Sequence, residues 1–120
     1  MAKRDPLWEG KIFEEYAWPA VRRNFPRHAG WKRFEQPTLP SGLRPDNILW
    51  KEETEEFVII EMKDVAELKE SHIRKVESYM AEAGASGAFV PIAWDTDVSS
   101  RVRRMAKKSG IRIRRLEWRR

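Results

Sequence analysis

The chain has 120 residues, 41% hydrophobic and 36% charged, with no cysteine and a formal net charge of +5. That length suits one compact domain, residues 1–120, with a modest core. The lack of cysteine excludes disulfides, thiolate nucleophiles and cysteine-ligated zinc or iron–sulfur sites. The longest apolar run, FVII, falls far short of the roughly 20 residues that cross a bilayer. The charged start MAKRDPLWEG has no apolar signal region, so the sequence reads as cytoplasmic, with no membrane partner. No glycine-rich phosphate loop or GxSxG elbow is present, and no organic cofactor is expected.

Asp5 before Pro6 is a helix start, an N-cap acceptor followed by a proline at N1. The helix should run to about Trp18, where Pro19 kinks or ends it, with a further turn or two reaching Asn24. Leu7, Gly10, Glu14, Ala17 and Val21 form one stripe at helical spacing. Glu14 is the misfit on that stripe, because a core-facing carboxylate needs a partner or a metal. Residues 31–38 read as a weak strand and LPSGL as a turn. NILW is a second strand, KEETEE a polar turn, and EFVIIEMK the third and most buried strand.

From about Val65 to Ala83 the pattern is helical, with Leu68, His72, Val76, Tyr79 and Met80 on one face and AGASG as the stop. AFVPIAW is a fourth strand, and Pro91 within it argues for an edge position or a bulge. A further helix is predicted over about 97–108. In the last strand, IRIRRLEW, Ile111 and Ile113 share one parity while Leu116 and Trp118 take the other, which predicts a bulge between Arg114 and Arg115. The order α-β-β-β-α-β-α-β predicts a meander followed by a parallel crossover, hence a mixed sheet with helices on its faces.

Charge is unevenly spread. Residues 98–120 carry ten Lys/Arg against Glu117 alone, and residues 19–45 carry six against Glu35 alone. Residues 51–82 hold ten acids and five bases. A basic tail and a basic loop around an acidic middle point to a polyanion partner, with arginines such as Arg44, Arg101, Arg104, Arg112 and Arg114 as phosphate contacts. Trp31 and Trp118 lie beside basic residues and are candidate stacking platforms.

Strand parity sends Glu61 and Lys63 to one face of the third strand and Met62 to the other. A hairpin turning through KEETEE can bring Asp46 beside Glu61, close enough to share a cation. Hydrolysis of a phosphodiester needs an activated water and relief of growing negative charge, and a hard divalent cation on oxygen ligands supplies both. Lys63 is a compact charge able to orient the water, and Glu14 could add a third carboxylate.

These residues, RPD at 44–46 and EMK at 61–63, resemble the motif of the PD-(D/E)xK nuclease superfamily, and GKIFEE resembles the opening of archaeal Holliday-junction resolvases. The resemblance implies an α/β, restriction-endonuclease-like core α-β-β-β-α-β with a mixed central sheet flanked by helices, plus a C-terminal helix and strand. It implies Asp46, Glu61, Glu14 (or its neighbour Glu15) and the Met62 carbonyl as ligands of Mg²⁺ or Mn²⁺, with Lys63 catalytic. Some branches carry a Gln and, four residues on, a Tyr after the ExK strand; here Lys75 stands for that Gln and Tyr79 matches the Tyr. Lys75 with His72 then faces DNA phosphate. The expected protein is a metal-dependent endodeoxyribonuclease, structure-specific or repair- or restriction-like, acting on DNA as a homodimer. A non-catalytic nucleic-acid-binding or assembly subunit on the same fold is the alternative, and an RNA-processing enzyme a third.

Overall fold

The apolar runs FVII and AFVPIA are uninterrupted because their strands are buried on both faces, the pattern of a sheet covered by helices on each side. The computed structural model describes the backbone of residues 6–117 and the side chains of residues 12–117. The expected cap Asp5, the stripe position Leu7 and the surroundings of Gly10 lie outside those limits, as do Trp118, Arg119 and Arg120.

Helix α1 (Pro6–Asn24) precedes β1 (Trp31–Glu35), β2 (Asn47–Lys51) and β3 (Glu56–Ile60). Then come β4 (Glu67–Leu68), α2 (Glu70–Ala83), β5 (Gly87–Ile92), β6 (Asp97–Val98), α3 (Ser100–Lys108) and β7 (Ile111–Arg115). The main sheet has the order β1-β2-β3-β5-β7. Its first three strands are an antiparallel meander, with Phe34 opposite Ile48 and Trp50 opposite Phe57. The β3–β5 and β5–β7 pairs are parallel. The expected α/β class and mixed sheet flanked by helices are therefore present.

Alternation along the strands divides the core. Ile48, Ile59, Ala88, Val90, Ile92 and Ile111 face α2 and α3, packing on Leu68, Ile73, Val76, Tyr79, Val102 and Ala106. Leu49, Val58, Ile60 and Phe89 face the other way, onto Val21, with Phe13, Ala17, Ala20, Ala93 and Leu116 beside them.

Six local expectations need correction. Helix α1 passes through Pro19 without ending and stops at Asn24. Burial of Ala20 and Val21 in the turn after the proline offsets the roughly 3 kcal/mol of an interior proline. Its inward face is Phe13, Ala17, Ala20 and Val21, so Glu14 lies on the flank rather than in the stripe. Helix α2 begins at Glu70, not near Val65, because Glu67–Leu68 pair in parallel with Asp97–Val98. Thr96 Oγ1 donates to the Val65 carbonyl (2.6 Å) and Asp97 N–H to that of Ala66 (2.8 Å), holding residues 65–68 extended. The same pairing delays α3 to Ser100, where Ser99 Oγ caps it by accepting from Val102 N–H.

Pro91 is neither at an edge nor in a bulge: β5 lies between β3 and β7. The carbonyls of Phe89 and Pro91 accept from Glu61 and Lys63 N–H, so the position of the missing Pro91 donor faces the segment after β3 has ended. Nor is there a bulge in β7, which pairs with β5 without interruption from Ile111 to Arg115. The change of parity reflects two buried faces, Ile111 and Ile113 packing toward α2 and α3 and Leu116 toward α1.

Phe89 is fully buried at the centre of this arrangement, its ring edge-on to Phe25 at 5.7 Å. Phe89→Ala should destabilise the fold by about 3–5 kcal/mol, read as a fall in the urea midpoint with little change in slope.

Candidate active site

The β2–β3 hairpin places the residue before β2 beside the residue after β3, since Asn47 pairs with Ile60. Asp46 and Glu61 then lock to each other through backbone donors. Asp46 N–H donates to Glu61 Oε1 (2.6 Å), and Met62 N–H donates to Asp46 Oδ2 (2.9 Å). Lys63 Nζ lies 3.5 Å from Glu61 Oε2. The sequence-predicted trio of Asp46, Glu61 and Lys63 is thus brought together.

Glu61 is 4% exposed. Burial, and next the Asp46 carboxylate, push its pKa up to about 7, against the pull of the Asp46 N–H and Lys63. Burial likewise raises Asp46, opposed by the Met62 N–H and by the charges of Lys63 and Lys75. A buried carboxylate beside a half-buried one, with too little positive charge around them, is a donor set that fits a hard divalent cation. Mg²⁺ commonly takes one or two protein carboxylates and fills its other positions with water and substrate oxygens.

Glu14 lines the same cleft as Asp46, a space of about 530 Å³ that Glu15, Trp18, Pro19, Arg33, Glu35 and Gln36 also bound. Its carboxylate is turned to Arg33, 3.7 Å away. Among the described residues no three His, Asp or Glu side chains gather as a ligand set. Arg33 also donates from Nε to Asn47 Oδ1 (2.7 Å), pairs with Glu35 (3.2 Å) and stacks on Trp18, 3.8 Å from the ring centroid.

Helix α2 presents Lys75 and Tyr79 toward the pair. Tyr79 is buried, and its hydroxyl is pushed above the usual range by burial and by the charges of Glu61 and Asp46. His72 serves the helix start: its Nδ1 accepts from Lys69 N–H (2.9 Å) and its own N–H donates to the Lys69 carbonyl (3.0 Å). Burial, then Lys63, Lys69 and Lys75, lower its pKa.

The remaining predicted phosphate contacts are dispersed. Arg44 is exposed just before the hairpin. Arg101 is bound to Glu70 at 2.6 Å, and Arg104 is exposed on α3. Arg112 lies over the Phe89 ring and donates to Asn24 Oδ1, and Arg114 lines a groove with Arg23 and Glu15, both on the α1 side. The tail arginines therefore occupy both faces of the sheet. Sequence reasoning missed Arg33 and Asn47; the signal was strand parity on β1, which sets Arg33 on the face of Trp31.

No family model and no curated protein matches the sequence. Solved structures do match. SfsA from Pyrococcus furiosus in complex with Ca²⁺ is 17% identical, with a TM-score of 0.57 over 93% of this chain and 57% of that one. EndoMS bound to double-stranded DNA is 21% identical, with a TM-score of 0.57 over 88% and 45%. A repair endonuclease from Pyrococcus abyssi is 17% identical, with a TM-score of 0.56 over 98% and 49%. The likeness is one of fold. This chain spans about half the length of those proteins.

Glu61→Gln keeps an acceptor for Asp46 N–H while removing a buried charge. It should leave metal-free melting unchanged or raised and abolish any Mn²⁺-induced rise in Tm. A parent protein whose melting ignores millimolar Mn²⁺ would count against a two-carboxylate cation site.

Proposed function

We propose that residues 1–120 form a PD-(D/E)xK nuclease domain, a metal-dependent endodeoxyribonuclease that hydrolyses DNA phosphodiester bonds. The observation that carries this reading is the convergence of Asp46, Glu61 and Lys63 at the end of one hairpin. Asp46 and Glu61 would hold Mg²⁺ or Mn²⁺, with the Met62 carbonyl beside them. The cation would polarise the phosphate and lower the pKa of a bound water. Lys63 supplies a fixed point charge that orients the attacking water and offsets charge on the phosphate oxygens. Water adds to phosphorus as the ester P–O bond breaks, leaving a phosphate monoester and a free hydroxyl. Glu14 completes the ligand set only if it leaves Arg33. A homodimer would bring two such sites to two strands, as expected of a junction resolvase or repair nuclease.

The second reading, a non-catalytic DNA-binding subunit, is favoured by the Glu14–Arg33 pair, which leaves two carboxylates rather than three. A cleavage panel separates the two. Linear duplex, single-stranded, flapped and four-way DNA, and RNA, are incubated with Mg²⁺ or Mn²⁺ and with EDTA. Cation-dependent cutting that falls at least 100-fold in Asp46→Asn and in Lys63→Ala, with unchanged circular dichroism, supports the nuclease. Intact substrates throughout support the binding subunit.

A further inference from the structure

On the α1 side of the edge strand β1, Arg22, Arg27 and Arg33 line a groove of about 540 Å³ with Trp31 and Glu35, and Lys32 borders it from the strand's other face, where its Nζ lies 5.3 Å from the Trp50 ring centroid. Three cations face one acid, with Lys32 at the rim. They lie within residues 22–33, inside the basic stretch 19–45, on the last turns of α1, the 3₁₀ turn Arg27–Ala29 and β1. The groove shares Arg33 and Glu35 with the cleft that Asp46 lines, whose other charged walls are Glu14 and Glu15, and the two adjoining spaces are taken together as one trough.

The cations are crowded. Burial first, then the charges of Arg27 and Arg33, hold Arg22 below the usual arginine range. Its Nη1 donates to the Trp31 carbonyl (3.2 Å), while its buried Nε has no hydrogen-bond partner among the described residues. Lys32 is shared with Glu52 and Arg33 with Glu14 and Glu35. An anion in the groove would relieve this repulsion, and several spaced cations suit repeated phosphates better than a single small ion. A groove of this size holds a short run of phosphodiester backbone.

We propose that this trough binds the phosphodiester backbone of a single nucleic-acid strand and leads it to Asp46 and Glu61. The destination of the strand rests on the nuclease reading; the binding itself does not. The trough, rather than the scattered C-terminal arginines, is then the main phosphate-binding surface.

The test is fluorescence anisotropy in EDTA with an end-labelled single-stranded DNA and an RNA of the same sequence, each at several salt concentrations. Arg27 and Lys32 are exposed, so Arg27→Glu and the double variant Arg27→Glu/Lys32→Glu should keep the parent circular dichroism. Binding should weaken about tenfold in the first and further in the second, and the slope of log affinity against log salt should shrink by roughly 0.7 for each phosphate no longer neutralised. Arg104→Glu on α3 should bind within twofold of the parent. Weaker binding in either arm supports the trough, and the arm affected names the sugar. Parent-like binding by both trough variants, an equal weakening in Arg104→Glu, or no binding by the parent would overturn it. A protein that cuts nothing yet loses EDTA binding in Arg27→Glu sinks the nuclease reading alone. Cleavage that depends on Asp46, with binding indifferent to Arg27→Glu, sinks this one alone.

Discussion

The carboxylate of Glu61 must be satisfied where water scarcely reaches, and the backbone of its own hairpin does it. Asp46 N–H binds Glu61, and Met62 N–H binds Asp46. A buried carboxylate without such donors would cost several kcal/mol. The exchange of bonds fixes both side chains against the main chain, so their positions follow from the hairpin register. Slipping that register by one residue would turn Asp46 to the opposite face and exchange Ile48 and Leu49 between the two layers of the core. Core packing and carboxylate placement are thereby one constraint.

That constraint sets how the surrounding helices are used. Helix α2 packs Ile73 and Val76 on the sheet and, from the same face, brings Tyr79 and the charge of Lys75 toward the pair. On the other side, α1 carries Glu14 to the rim of the cleft, where Arg33 holds it. Positive groups thus approach the acids from both sides of the sheet. Lys63 is the cation nearest Glu61 in the hairpin segment itself, with its N–H fixed to the Pro91 carbonyl.

Much of this is legible in the sequence. The apolar runs NILW and FVII mark the hairpin, and parity with the turn length brings Asp46 to Glu61 and Lys63. Pairings between distant segments are not legible. Two-residue strands such as β4 and β6 have no periodicity, so residues 65–68 read as the start of a helix whose spacing Leu68 happens to fit. The bulge expected in β7 is a false inference from one-sided reasoning, since both parities are buried. Pro19 misleads because local propensity is weighed without the tertiary burial that overrides it. Arg33 escapes notice because its importance lies in what it meets: Glu14, Asn47 and Trp18 are brought to it from two other elements.

Pro91 has a consequence for motion. Between Glu61 N–H bound to Phe89 O and Lys63 N–H bound to Pro91 O, the parallel ladder calls for a bond from residue 91 to the Glu61 carbonyl, and proline cannot make it. The sheet therefore has a missing stitch in its interior, at the level of the carboxylates. The segment 61–63 can tilt relative to β5 with no hydrogen bond broken at that point. This local compliance is built into the covalent structure of the neighbouring strand, and side-chain changes at Glu61 or Lys63 would leave it in place.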